Sequence, residues 1–190
     1  MFRPQFVTYL DTNTKVPYTL NRLGTLIENP KKGHQAYYRH LPDVLSQHGD
    51  NPAEPGCWLV MRKQLLCRNL TYPQQVQYIK TVNERTQSSY EEELDAIDIA
   101  TMVLARHVLT GERYLSDGTG EQAYKAYSRC KESIKFRECA FPLIIGNFAS
   151  DNLHIDSCNL LDNYYCYGPV GLLKYSKGDK VKEEEGSQLP

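Results

Sequence analysis

Apolar positions recur at helical spacing through most of this chain of 190 residues and change to alternation only near its end. Leu20, Leu23, Leu26 and Ile27 mark a short helix over 19–28, with Gly24 as an interruption. Asn29 to Gly33 reads as a loop. A short helical piece from about Gln35 is limited by Pro42, and Leu41, Val44 and Leu45 give a second short apolar face. Gly49 to Gly56 is the densest run of structure breakers. Trp58 to Cys67 is apolar on most sides and reads as a buried helix, with a strand as the alternative for so short a run. Thr71 and Gln74 have the spacing of a capping box, with Pro73 in the first turn, and Val76, Ile79 and Val82 supply an inner stripe over 72–86.

Two overlapping Ser-x-x-Glu boxes, Ser88 with Glu91 and Ser89 with Glu92, predict a central helix over 89–110 that stops at Gly111. Its apolar surface (Leu94, Ile97, Ile99, Met102, Val103, Leu104, Val108) is wide enough to need several neighbours. Thr119 and Gln122 predict the start of a third helix over 120–138. Ala123, Tyr127, Cys130 and Ile134 face inward on it, and Lys125, Arg129, Lys131, Lys135 and Arg137 make its outer side basic. From Ala140 the pattern turns to strand: Phe141 to Ile145, then Leu153 and Ile155 alternating with His154 and Asp156, then Tyr164 to Tyr167 and Val170 to Tyr175. The expected fold is a mostly helical α+β domain, a three-helix body with a small C-terminal antiparallel sheet over 140–175. Its expected divisions are a helical appendage at 1–50, a main domain at 57–175 and a disordered charged tail at 176–190.

The net charge of −1 conceals a split. Residues 1–88 carry 11 basic and 6 acidic side chains, and residues 89–190 carry 11 and 17. The N-terminal half is therefore the side that favours an anionic partner, unless the two halves answer each other. Met1 is not followed by a basic and apolar leader, and no apolar run approaches the length of a membrane span. The expectation is a soluble, cytoplasmic chain. The 6 cysteines contain no C-x-x-C pair, which argues against a zinc ribbon or a dithiol redox motif.

Cys57 is a candidate nucleophile because it follows Pro55-Gly56 and opens a segment read as helical, where a thiolate is favoured. Gly56-Cys57-Trp58 is similar to the end of the local signature around papain-type cysteines, with Glu54 where that signature carries its upstream cysteine. His154 as base and Asp156 (or Asp162) as orienting acid would complete a cysteine hydrolase or acyltransferase. Asp117-Gly118-Thr119-Gly120 has glycines ahead of a helix start but lacks the lysine of a nucleotide loop, and reads as a capping turn. Asp95, Asp98 and His107 lack metal-ligand spacing, so no metal and no cofactor is expected.

Lys31, Lys32, His34, Tyr37, Tyr38, Arg39 and His40 interleave cations with aromatics, a pattern that serves phosphate or nucleic acid. The chain has 14 tyrosines, and Tyr37, Tyr38, Tyr164, Tyr165 and Tyr167 cluster outside the best helices. Tyrosine joins an apolar ring to a polar tip, which suits protein interfaces. The leading expectation is a protein-interaction module, an adaptor or regulator, that meets a protein partner through Tyr37, Tyr38, Arg39, Tyr164, Tyr165 and Tyr167 together with the basic helix face. The cysteine hydrolase is the alternative, and nucleic-acid binding through Lys31 and Lys32 is the third reading.

Overall fold

The computed structural model describes residues 1–3, 6–8, 15–54, 56–117, 124–149, 152–162, 164 and 166–176. In chain order the elements are β1 (Phe2–Arg3), β2 (Phe6–Thr8), β3 (Lys15–Pro17), α1 (Leu20–Glu28), β4 (Tyr37–His40), α2 (Pro42–His48), β5 (Cys57–Leu65), α3 (Tyr72–Thr86) and α4 (Ala96–Thr110). They continue with β6 (Ser116–Asp117), β7 (Tyr124–Lys125), β8 (Tyr127–Phe136), β9 (Cys139–Ala149), β10 (Asn152–Ser157) and β11 (Val170–Ser176).

The fold is α+β but not mostly helical. A four-stranded sheet in the order β4-β10-β9-β8 and a three-stranded sheet in the order β1-β5-β11 carry as much of it as the helices do. The expected third helix over 120–138 is a strand where the structure describes it, β8, paired antiparallel with β9. The expected buried helix from Trp58 is β5, in which Cys57 and Leu59 are buried while Trp58 and Val60 are exposed. The segment from Gln35 becomes β4, which joins β10 in parallel. The sheet is thus not confined to 140–175. Residues 118–123, which hold most of the expected capping turn, and the tail beyond Ser176 lie outside the described residues.

Helix α4 is the axis of the core. Ile99, Ala100, Val103 and Leu104 are fully buried, between α1, β5 and the β8–β9 pair. Leu20, Leu23 and Ile27 of α1 and Val44 of α2 join the same hydrophobic cluster as Leu59, Leu143, Ile145, Leu153 and Ile155. α4 begins at Ala96, not at 89, because the chain before it is drawn into tertiary pairing. Tyr90 bridges Leu173, and the Glu91 N–H donates to the Leu172 carbonyl at 2.8 Å. At the helix start Asp95 does not cap. Its carboxylate is taken by Lys131 at 2.6 Å and Lys174 at 3.0 Å. Glu132 of β8 fills the role from outside the helix, its two oxygens accepting from the Ala96 N–H at 3.1 and 3.0 Å.

Candidate binding cleft on the open face of the four-stranded sheet

Alternation along the strands decides which side chains meet. On β10, Leu153 and Ile155 face the core, so His154 and Asp156 face the opposite side of the sheet. Parallel pairing sets Arg39 of β4 opposite His154, and His154 lies opposite Gly146 of β9, which lies opposite Tyr127 of β8. Arg39, His154, Gly146 and Tyr127 therefore form one row across the open face. Gly146 is required there. A Cβ on it would stand 1.9 Å from the Ala126 carbonyl oxygen and 2.7 Å from the Tyr127 Cα.

One end of this face is walled by Cys158, Tyr164 and Tyr167. Cys158 packs with Tyr127 and Ile144, and Tyr167 lies against them. The Tyr127 and Tyr167 rings meet edge to face with centroids 5.9 Å apart, and Tyr164 stacks on Tyr167 in the same manner at 5.7 Å. Tyr164 is 58% exposed. The wall is pinned by Arg129, which is 1% exposed. Its Nη1 donates to the Leu70 carbonyl at 3.2 Å, its Nη2 to the Asp162 carbonyl and its Nε to the Cys158 sulfur at 3.4 Å. Its guanidinium also lies 5.1 Å from the centre of the Tyr167 ring.

The unwalled half is a polar cleft of about 470 Å³ lined by Arg39, His40, Leu41, Tyr127, His154, Ile155 and Asp156. Burial, with the Asp156 carboxylate nearby, holds the Tyr127 phenol above its ordinary range. Burial pushes Tyr167 up to about 12. Both phenols remain hydrogen-bonding groups at neutral pH. The His40 Nδ1 lies 2.9 Å from the Leu41 carbonyl and donates to it, which leaves Nε2 for a ligand. Arg39 is exposed and forms no ion pair among the described residues. The chemistry on offer is a guanidinium fork, two imidazoles, a phenol and one carboxylate.

Arg39, His154 and Asp156 are brought together in the cleft. Tyr37 shares the Arg39 face and is exposed, and Tyr164 and Tyr167 form the wall. Tyr165 lies outside the described residues. Tyr38 points the other way. It packs on the core beside Gly24, and its buried hydroxyl finds no hydrogen bond among the described residues. Cys57 is buried on the core side of β5, in the cluster that includes Leu153 and Ile155, so the structure does not bring its thiol to His154 or Asp156. Asp162 contributes its carbonyl to Arg129, and its carboxylate accepts from the Asn159 N–H at 3.0 Å. Lys31 and Lys32 are exposed in the loop before β4. The basic helix face does not exist as such: Arg129 is buried, and Lys131 is paired with Asp95.

Gly146 and Tyr127 were not singled out by sequence as parts of this site, while His40 stood in the basic and aromatic run over 31–40 and Arg129 on the expected basic helix face. A lone glycine inside an apolar strand run was the available signal for Gly146. Among the described residues, no group of three or more His, Cys, Asp or Glu side chains is arranged to hold a metal ion. No described helix is long and apolar enough to cross a membrane. No protein-family model, no curated protein and no solved structure matches this chain.

Proposed function

We propose that this chain is a protein-interaction module that holds a partner polypeptide on the open face of the four-stranded sheet. One observation carries the reading. Two tyrosine-bearing parts of the chain far apart in sequence, Tyr37–Leu41 and the Tyr164 and Tyr167 pair, flank one polar cleft. Exposed tyrosines beside an arginine that has no ion pair among the described residues are the composition of interface hot spots, where large rings give contact area and the guanidinium gives direction. An adaptor or regulator role is the finer form of this proposal.

Selection of a random peptide library on the immobilised protein tests it. The expected result is peptides whose affinity falls about tenfold or more, about 1.4 kcal/mol, in Arg39→Ala, His154→Ala and Tyr164→Ala. Trp58→Ala, on the outer face of β5, should leave them within about twofold. Failure to select any peptide, or selection of peptides indifferent to the cleft variants, would overturn the proposal.

A further inference from the structure

A sheet edge is a row of unpaired N–H and C=O groups, and proteins usually cover it. The β8 edge is covered. The Tyr127 N–H donates to the Cys166 carbonyl and the Lys131 N–H to the Leu94 carbonyl, both at 2.8 Å. The Lys135 N–H donates to Gln47 Oε1 at 3.0 Å, and the Ser133 carbonyl accepts from His48 Nε2 at 2.9 Å. Helix α2 and two loops thus close that side.

The opposite edge, β4, has no such cover among the described residues. The Leu41 N–H donates inward to the Ile155 carbonyl at 3.3 Å. Alternation then turns the N–H groups of Tyr38 and His40 outward, away from β10. Tyr37, Arg39, His40 and Leu41 are all exposed.

The charge carried by the edge and the loop before it is cationic, with Asp156 of β10 as a carboxylate in the adjoining cleft. Residues 31–41 include Lys31, Lys32 and Arg39 and no carboxylate, and none of these three cations is ion-paired among the described residues. Two copies of β4 set edge to edge would bring their Arg39 side chains into one strand pair, which like charges disfavour. An incoming strand with carboxylates meets the opposite condition.

We propose that the open edge of β4 takes an extended acidic polypeptide segment as a fifth strand of the sheet. Main-chain hydrogen bonds to Tyr38 and His40 supply the pairing, as in other strand-addition complexes, and alternate side chains supply the choice of ligand. Carboxylates on the cleft side would meet the Arg39 guanidinium and His40 Nε2. The proposal rests on the reading of the cleft as a ligand site and names the class of its ligand.

The probe is a fluorescein-labelled eight-residue peptide with Glu at every second position and Val or Thr between, followed by fluorescence anisotropy at low salt. It is compared with its Lys-for-Glu counterpart and with two versions N-methylated on one or the other alternate set of amides. The expected result is saturable binding of the acidic peptide. One methylated set should lose about tenfold or more while the other stays within about twofold, because only one edge of an added strand faces β4. Arg39→Glu should lose about tenfold and favour the lysine peptide, and Arg39→Gln should lie between. Equal binding of the acidic and lysine peptides, or equal effects of the two methylation sets, would overturn strand addition. Library peptides that depend on the cleft yet tolerate either methylation would overturn it while leaving the interaction module standing.

Discussion

Arg129→Ala should cost the fold about 3 kcal/mol. The side chain is almost wholly buried and serves three acceptors and one ring. Truncation leaves the Asp162 carbonyl without that donor, at about 1–3 kcal/mol if it stays dry, while the Leu70 carbonyl keeps the Gln75 Nε2 donor at 2.8 Å. Loss of the contact with the Tyr167 ring adds about 1–2 kcal/mol. Two terms oppose these: a buried guanidinium no longer has to be desolvated, and water entering the vacated space re-solvates a carbonyl. The net of about 3 kcal/mol is a large share of the stability of a typical domain. Urea unfolding at neutral pH measures it, with an unchanged slope expected if the change lies in the native state. Arg129→Lys should fall between, since one ammonium on a flexible stem cannot reproduce a planar fork. A loss below about 1 kcal/mol in Arg129→Ala would refute the claim that this residue pins the wall of the cleft.

Three other substitutions probe the frame. Glu132 sits above its ordinary carboxylate value, at about 7, chiefly through burial. A raised carboxyl pKa means that the folded state binds the proton more tightly. The protonated form therefore adds stability that is complete below about pH 4.5 and is lost as pH rises through about 7. Glu132→Gln, which keeps an oxygen for the Ala96 N–H, should flatten that slope and gain roughly 1–3 kcal/mol at pH 8, read by thermal unfolding across pH. Lys174→Met withdraws an ammonium that lies 3.2 Å from buried Asp98, 3.0 Å from Asp95 and 3.1 Å from Glu54, and should cost about 3 kcal/mol in urea unfolding. Gly146→Ala forces a Cβ against the Ala126 carbonyl and should cost about 1–3 kcal/mol by the same assay, with a crystal structure showing β8 displaced from β9.

What the sequence made legible was local. Helix α3 begins at Tyr72 as predicted because Thr71 and Gln74 are self-sufficient: Gln74 Oε1 accepts from the Thr71 N–H at 2.9 Å and from its hydroxyl at 3.1 Å. The end of α4 was equally readable. Gly111 adopts a positive φ of 74° and its N–H returns to the His107 carbonyl at 2.7 Å. The start of α4 was hidden because pairing of Tyr90 and Glu91 with β11 overrode two capping boxes, and no local rule weighs a partner so distant.

Strand β8 was hidden for another reason. Its register shifts between Arg129 and Ser133, so its buried positions lose the two-residue period and imitate a helical one. The alternation of β5, buried at Cys57 and Leu59 and exposed at Trp58 and Val60, was hidden because all four side chains are apolar, and a run apolar on most sides favoured a buried helix although its shortness allowed a strand. For the cleft, residue types could be read but not neighbours. Arg39 and His154 each stood out, and only the parallel pairing of β4 with β10 sets them side by side. Arg129 shows the reverse error, a surface charge by helical spacing that is a buried anchor by fold.

The central claim is that the open face between β4 and the wall of Cys158, Tyr164 and Tyr167 receives the ligand. Amide chemical-shift mapping of the isotope-labelled protein during titration with the acidic strand peptide tests it most directly. The account predicts that the largest shifts fall on Tyr37 to Leu41 and on His154 to Asp156, with β5 around Trp58 and Val60 unmoved. Shifts centred on Trp58 and Val60, or none at saturating peptide, would contradict it.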